Sequence, residues 1–162
     1  MFATAADPSR LPKPEMYREL AAQLRALIEG ESDATANMAS CAALIFHSVP
    51  RLNWAGFYLL KNDELVVGPF QGKPACIRIP LGRGVCGVAA AEKRAMRVAD
   101  VDQFPGHIAC DSASRSEIVL PLIGADDSVR GVLDLDSPEL ARFDAEDEAG
   151  LDAIAQIIAA KL

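Results

Sequence analysis

The sequence holds no stretch of about 18 consecutive apolar residues, the length needed to cross a bilayer, and no cluster of lysine and arginine. Its 16 basic residues are outnumbered by 23 acidic ones, giving a formal net charge of −7 at pH 7. Nucleic acid and anionic membranes are bound through concentrated positive charge, so neither is an expected partner. Residues 1–14 lack the apolar core of a secretory signal, which makes the cytoplasm the expected compartment. There the 4 cysteines are expected to be reduced at rest, leaving packing, metal binding or redox chemistry as their uses. No two of them form a Cys-x-x-Cys pair, the spacing by which zinc ribbons present two ligands from one turn. A Cys3His set from Cys76, Cys86, Cys110 and His107 remains arithmetically possible, but no metal is expected.

What is present reads as one domain. A chain of 162 residues, 51% hydrophobic, buries roughly 70% of its unfolded surface without needing a disulfide. Residues 1–14, with Pro8, Pro12 and Pro14, read as a flexible arm. A helix is predicted to start after Pro14 and stop at Gly30, with Met16, Leu20, Leu24, Leu27 and Ile28 at helical spacing. A second helix follows the N-cap Asp33 and ends before Pro50, with Cys41 among its core residues. The period then becomes strand-like. Trp54 to Leu60 and Glu64 to Phe70 form a hairpin around Lys61-Asn62-Asp63. Short strands are predicted at Cys76 to Ile79, Met96 to Ala99, Glu117 to Ile123 and Val129 to Asp136. Between them lie a glycine-rich turn with a short helix, Gly82 to Glu92, and a long loop, Asp100 to Ser116, without regular structure. Asp144 and Asp147 carry the capping-box pattern for a closing helix whose stripe is Leu151, Ile154, Ile158 and Leu162. The sum is an α+β domain: a helix pair, about six antiparallel strands and a final helix.

Several residues could carry chemistry. Cys86 sits where a turn feeds a helix, near unpaired N–H groups, the positive end of a dipole and Arg83, all of which favour thiolate. The alternative is a glycine-rich turn packed against the sheet. Cys110 lies in the long loop, which favours access; Cys76, at a strand start, either packs or reacts. Alternation places Trp54, Gly56 and Tyr58 on one strand face, two aromatic walls with a gap for a thioether-like group, or else ordinary aromatic packing. Asp134 and Asp136 share a face opposite Leu133 and Leu135. They are either the wet side of a half-buried strand or a carboxylate pair aimed at a cation. Glu117, opening an apolar strand, is either a surface acid or a partly desolvated one with a raised pKa, able to donate a proton.

Together the segments Trp54-Ala55-Gly56-Phe57-Tyr58, Gly68-Pro69-Phe70-Gln71-Gly72-Lys73, Ile79 to Gly87, Gly106 to Asp111, Ser116 to Val119 and Gly131 to Ser137 resemble the free methionine-(R)-sulfoxide reductases, a family of single GAF domains. The resemblance runs from Trp54 to Leu151, with Arg115 departing from the family pattern, and implies a GAF domain over residues 15–162. It implies reduction of free L-methionine (R)-sulfoxide without metal or organic cofactor. The Cys110 thiolate attacks the sulfoxide sulfur, Glu117 protonates the departing oxygen, and Cys76 resolves the sulfenic acid into a disulfide that thioredoxin reduces. Asp134 and Asp136 would hold the substrate ammonium, with Trp54 and Tyr58 around the side chain. Local chemistry favours Cys86 as the thiolate, whereas the resemblance and loop access favour Cys110; Cys86 is then an alternate nucleophile or second recycling thiol. A homodimer is expected on the same basis. The competing readings are a GAF small-molecule sensor and a thiol switch without catalysis.

Overall fold

The computed structural model describes residues 10–162; the flexible-arm expectation for residues 1–9 lies outside them. Four α-helices and six strands follow in the order α1 (Lys13–Leu27), α2 (Ala34–Ser48), β1 (Trp54–Lys61), β2 (Glu64–Gly72), β3 (Arg78–Pro80), α3 (Gly84–Glu92), β4 (Met96–Val98), β5 (Ser116–Ile123), β6 (Val129–Ser137) and α4 (Ala145–Ala159). The strands make one antiparallel sheet in the order β3-β2-β1-β6-β5-β4. The α+β expectation with about six antiparallel strands is met.

Local chemistry sets the boundaries. Helix α1 starts at Lys13 rather than after Pro14, because Pro14 itself occupies the first turn, where a missing N–H costs nothing. In α2 the Asp33 side chain accepts from Ala36 N at 2.8 Å, as an N-cap should. Asn62 and Asp63 adopt φ of 51° and 61°, the left-handed pair that matches a two-residue hairpin to strand twist. At α4 the Asp144–Asp147 capping box is complete. Asp147 is fully buried, yet it accepts from Tyr17 Oη at 2.7 Å, Lys13 Nζ at 2.6 Å and Arg142 Nη1 at 3.1 Å, so α1 is pinned to α4 by a satisfied carboxylate. The predicted stripe fails only at Leu162, which lies past the helix end and is exposed.

The sheet divides two cores. On one face α1, α2 and α4 cover Ala55, Phe57, Ile118, Leu120, Leu122, Leu133 and Leu135, and Cys41 packs there at 0% exposure. Each fully buried Leu or Phe contributes about 1.5–3 kcal/mol of transfer free energy. On the other face α3 and the long connections cover Trp54, Tyr58, Val119 and Val132. The predicted strand at Cys76 is shorter than expected: β3 begins at Arg78, and Cys76 lies in the connection before it. The loop from Asp100 to Ser116 is also not wholly irregular, since residues 101–103 form a 3-10 turn capped by Asp100.

Candidate active site

Cross-strand partners in a sheet share a face, so the pairing register alone assembles the floor of the site. Trp54 on β1 lies opposite Asp136 on β6, which lies opposite Glu117 on β5; one step along, Gly56 lies opposite Asp134, which lies opposite Val119. Trp54, Glu117, Asp134 and Asp136 are thereby gathered on one face from three strands. Helix α3 and the loop before β5 roof this floor. The resulting recess is lined by Trp54, Tyr58, Cys86, Glu117, Asp134 and Asp136, with Cys110 and His107 at its loop side.

The carboxylate face is therefore not the wet side of a half-buried strand. Asp134 and Glu117 are 5% and 6% exposed, and Asp136 is half-buried. Burial, reinforced by the neighbouring Asp136, pushes the Glu117 carboxyl well above its usual range. Burial and Glu117 do the same to Asp134, and burial and Asp134 to Asp136. One Asp134 oxygen, Oδ1, is buried and has no hydrogen-bond partner. His107 Nε2 stands 3.7 Å from Glu117 Oε2, and burial lowers the imidazole pKa, against a smaller raising effect of Asp102.

Cys86 corrects the local reading. It does occupy the first turn of α3, but it is 3% exposed and faces Glu117 Oε1 at 3.8 Å. Desolvation, followed by Asp134, Glu117 and Asp136, pushes its thiol well up, not down. Burial, with three acids brought by distant strands, outweighs one helix end. Gly84 opens that helix at φ +62°, and a Cβ there would come within 3.2 Å of Ile108, so the loop lies directly on the turn.

Cys76 and Cys110 are joined as a disulfide with Cα atoms 5.3 Å apart, inside the ordinary range for such a bond. This pairing dissolves the Cys3His arithmetic, because two of the three thiols are spent on each other. Hydrogen bonds hold both ends over the floor. Trp54 Nε1 donates to Lys73 O at 3.1 Å and Tyr58 Oη to Cys76 O at 3.1 Å. On the other side Asn53 Nδ2 donates to Asp111 Oδ2 at 3.2 Å and to Ser114 Oγ at 3.0 Å.

The aromatic walls are real but the gap between them is not empty. Trp54 stacks on Tyr58 at 5.8 Å and on Phe70 at 5.3 Å, and its indole lies 2.7 Å from where a Gly56 Cβ would stand. The glycine makes room for Trp54 itself. The remaining cavity is small, about 30 Å³, room for about two waters. Sequence reasoning missed Asn53 and Ser114 as supports. Asn53 directly precedes Trp54, but nothing local announces that its amide reaches a loop some 60 positions away.

The chain belongs to the GAF domain family, whose model matches residues 35–162. Within it, the chain is 53% identical over 139 residues to the free methionine-R-sulfoxide reductase of Escherichia coli, covering 86% of this chain and 84% of that one. It is 41% identical over 157 residues to the free methionine-R-sulfoxide reductase of Saccharomyces cerevisiae, covering 93% and 87%. The X-ray structure of free methionine-R-sulfoxide reductase from Neisseria meningitidis in complex with its substrate superposes with a TM-score of 0.88 at 44% identity, over 99% of this chain and 93% of that chain. Its place within the GAF domains is thus among the free methionine-R-sulfoxide reductases.

Proposed function

We propose that the chain reduces free L-methionine (R)-sulfoxide to L-methionine. The observation that carries this reading is the Cys76–Cys110 disulfide poised over Glu117, Asp134 and Asp136. A sulfoxide sulfur becomes electrophilic when its oxygen is protonated. Glu117, whose carboxyl burial pushes well above its usual range, is the proton donor. The Cys110 thiolate attacks the sulfur as its oxygen is protonated; the hydroxyl then passes from the substrate sulfur to the Cys110 sulfur, the substrate S–O bond and the transient Cys110–sulfur bond break, and methionine leaves with Cys110 as the sulfenic acid. The Cys76 thiol then displaces hydroxide, which departs as water with a proton, and the disulfide forms. Two thiols are oxidised and one sulfoxide is reduced in each cycle; a thioredoxin-class dithiol resets the enzyme.

Specificity for the free amino acid follows from the acids. Asp134, with its unpaired oxygen, and Asp136 take the substrate ammonium, a charge that a peptide nitrogen lacks. Trp54 and Tyr58 flank the thioether. Cys86 acts beside Glu117 as a second thiol of the site and not as the attacking group, since its buried position disfavours the thiolate. The disulfide form is the end of the cycle, since methionine leaves when Cys110 becomes the sulfenic acid. The reading also takes a homodimer in the cytoplasm as the working form.

Incubation with free methionine sulfoxide and dithiothreitol tests the proposal. Catalytic release of methionine from the R epimer, and not from sulfoxide within a peptide, is expected. Binding without turnover would favour a sensor, and oxidation of Cys76 and Cys110 without methionine a thiol switch.

A further inference from the structure

We propose that Cys86, Glu117 and Asp134 form a binding site for a zinc-like divalent cation that is available even when Cys76 and Cys110 are bonded to each other. A thiol sulfur and two carboxylate oxygens, one from each residue, lie within 4.8 Å of one another, and all three residues are buried. Tetrahedral zinc with bonds of about 2.0–2.3 Å needs ligand separations of about 3.5 Å. Cys86 Sγ and Glu117 Oε1, at 3.8 Å, are already nearly there.

Two further observations point to an occupant. Asp134 Oδ1 is buried at a residue 5% exposed, lines the recess and has no hydrogen-bond partner. Among the described residues, Glu117 has His107 as its ion-pair partner and Asp134 has none. Three protein ligands leave the fourth tetrahedral position to water, as in open zinc sites. Thiolate and carboxylate are donors zinc takes. The size of the cavity agrees: about 30 Å³ admits an ion and not an amino acid.

Binding breaks the Cys86 S–H bond and any O–H bond on the Glu117 and Asp134 carboxyls, forms metal–sulfur and metal–oxygen bonds and passes the protons to solvent, so uptake releases acid and weakens as pH falls. It needs no oxidant or reductant. The site stands on this geometry alone and does not depend on the reductase reading. Because one unpaired oxygen cannot serve two cations, the metal and a substrate ammonium at Asp134 exclude each other.

The test uses the full-length disulfide form and cobalt(II) as the probe. Its only free thiols among the described residues are Cys41 and Cys86. One equivalent of cobalt is expected to produce the near-ultraviolet charge-transfer band of a single cobalt–thiolate bond, which zinc then bleaches. Cys41→Ser is expected to keep the band and Cys86→Ser to lose it. Asp134→Asn, which leaves the thiol in place, is expected to weaken binding by at least about tenfold, since even indirect supports of a metal are worth 10–100-fold. Absence of the band from the parent protein, its survival in Cys86→Ser, or undiminished affinity in Asp134→Asn would each overturn the proposal.

Discussion

The two faces of the sheet are made by the same strands and do opposite things. On β6, Leu133 and Leu135 point into the helix-covered core, while Asp134 and Asp136 point into the recess. On β1, Ala55 and Phe57 alternate in the same way with Trp54 and Tyr58. The helix face is apolar and packs the larger of the two cores. The recess face holds three carboxyls with raised pKa values, a buried thiol and an unpaired oxygen, and leaving such an oxygen unsatisfied costs about 1–3 kcal/mol. The difference teaches that stability and chemistry are separated by a single step of strand alternation.

Substitutions can break or sharpen that separation. The largest effect is expected from Cys110→Ser: no methionine released, even in a single turnover without reductant, at unchanged secondary structure by circular dichroism. One equivalent of methionine from that variant would move the attack to another thiol. On the opposite face, Phe57→Ala is expected to cost about 3–5 kcal/mol in urea unfolding, with kcat per folded molecule little changed. If instead kcat fell as far as stability, the two faces would not be independent.

Glu117→Gln is expected to lower kcat by about 10²–10⁴-fold, the usual contribution of a general acid. Its raised pKa fixes the sign of the pH profile: the donor is present below that pKa, and the rate falls as pH rises through it. The variant should lack this falling limb. Smallest is Asp144→Ala at the cap of α4, expected to cost about 1 kcal/mol. The Lys13 ammonium first, with the capped N–H groups, holds the Asp144 carboxyl down at about 2. A depressed carboxyl stabilises above its unfolded value near 3.9 and loses that contribution as pH falls toward about 2, so acid titration of the variant should show a smaller stability loss in this window.

What was legible in the sequence was local. Asp33, the Asp144–Asp147 box and the hairpin turn each act within a few residues; the two caps form as read, and the turn read at Lys61-Asn62-Asp63 narrows to Asn62-Asp63 because Lys61 still pairs with Glu64. The alternation of Leu133 and Leu135 with Asp134 and Asp136 was also readable, but not what lies over the acids. That depends on Glu117 and α3 arriving from elsewhere in the chain, which is why the local cues at Cys86 point to thiolate while the folded site pushes the thiol pKa up. The same limit explains the filled gap at Gly56: Phe70 comes from the next strand, and no spacing rule says that the Trp54 indole turns toward it. The Cys76–Cys110 bond agrees with the pairing that the family resemblance implied, and nothing in the spacing of the cysteines chose it over another.

In strand order, Cys76 belongs to the connection between β2 and β3 on one wing of the sheet, and Cys110 to the connection between β4 and β5 on the other. Their bond straps the two wings together across the central pair β1 and β6, closing a ring of sequence separation 34. A crosslink of that span removes enough freedom from the unfolded chain to stabilise the fold by about 3–4 kcal/mol. A protein that made and cut this strap with each turnover would alternate between a tougher and a more fragile version of itself. Its resistance to heat and proteases would then report how quickly fresh electrons arrive.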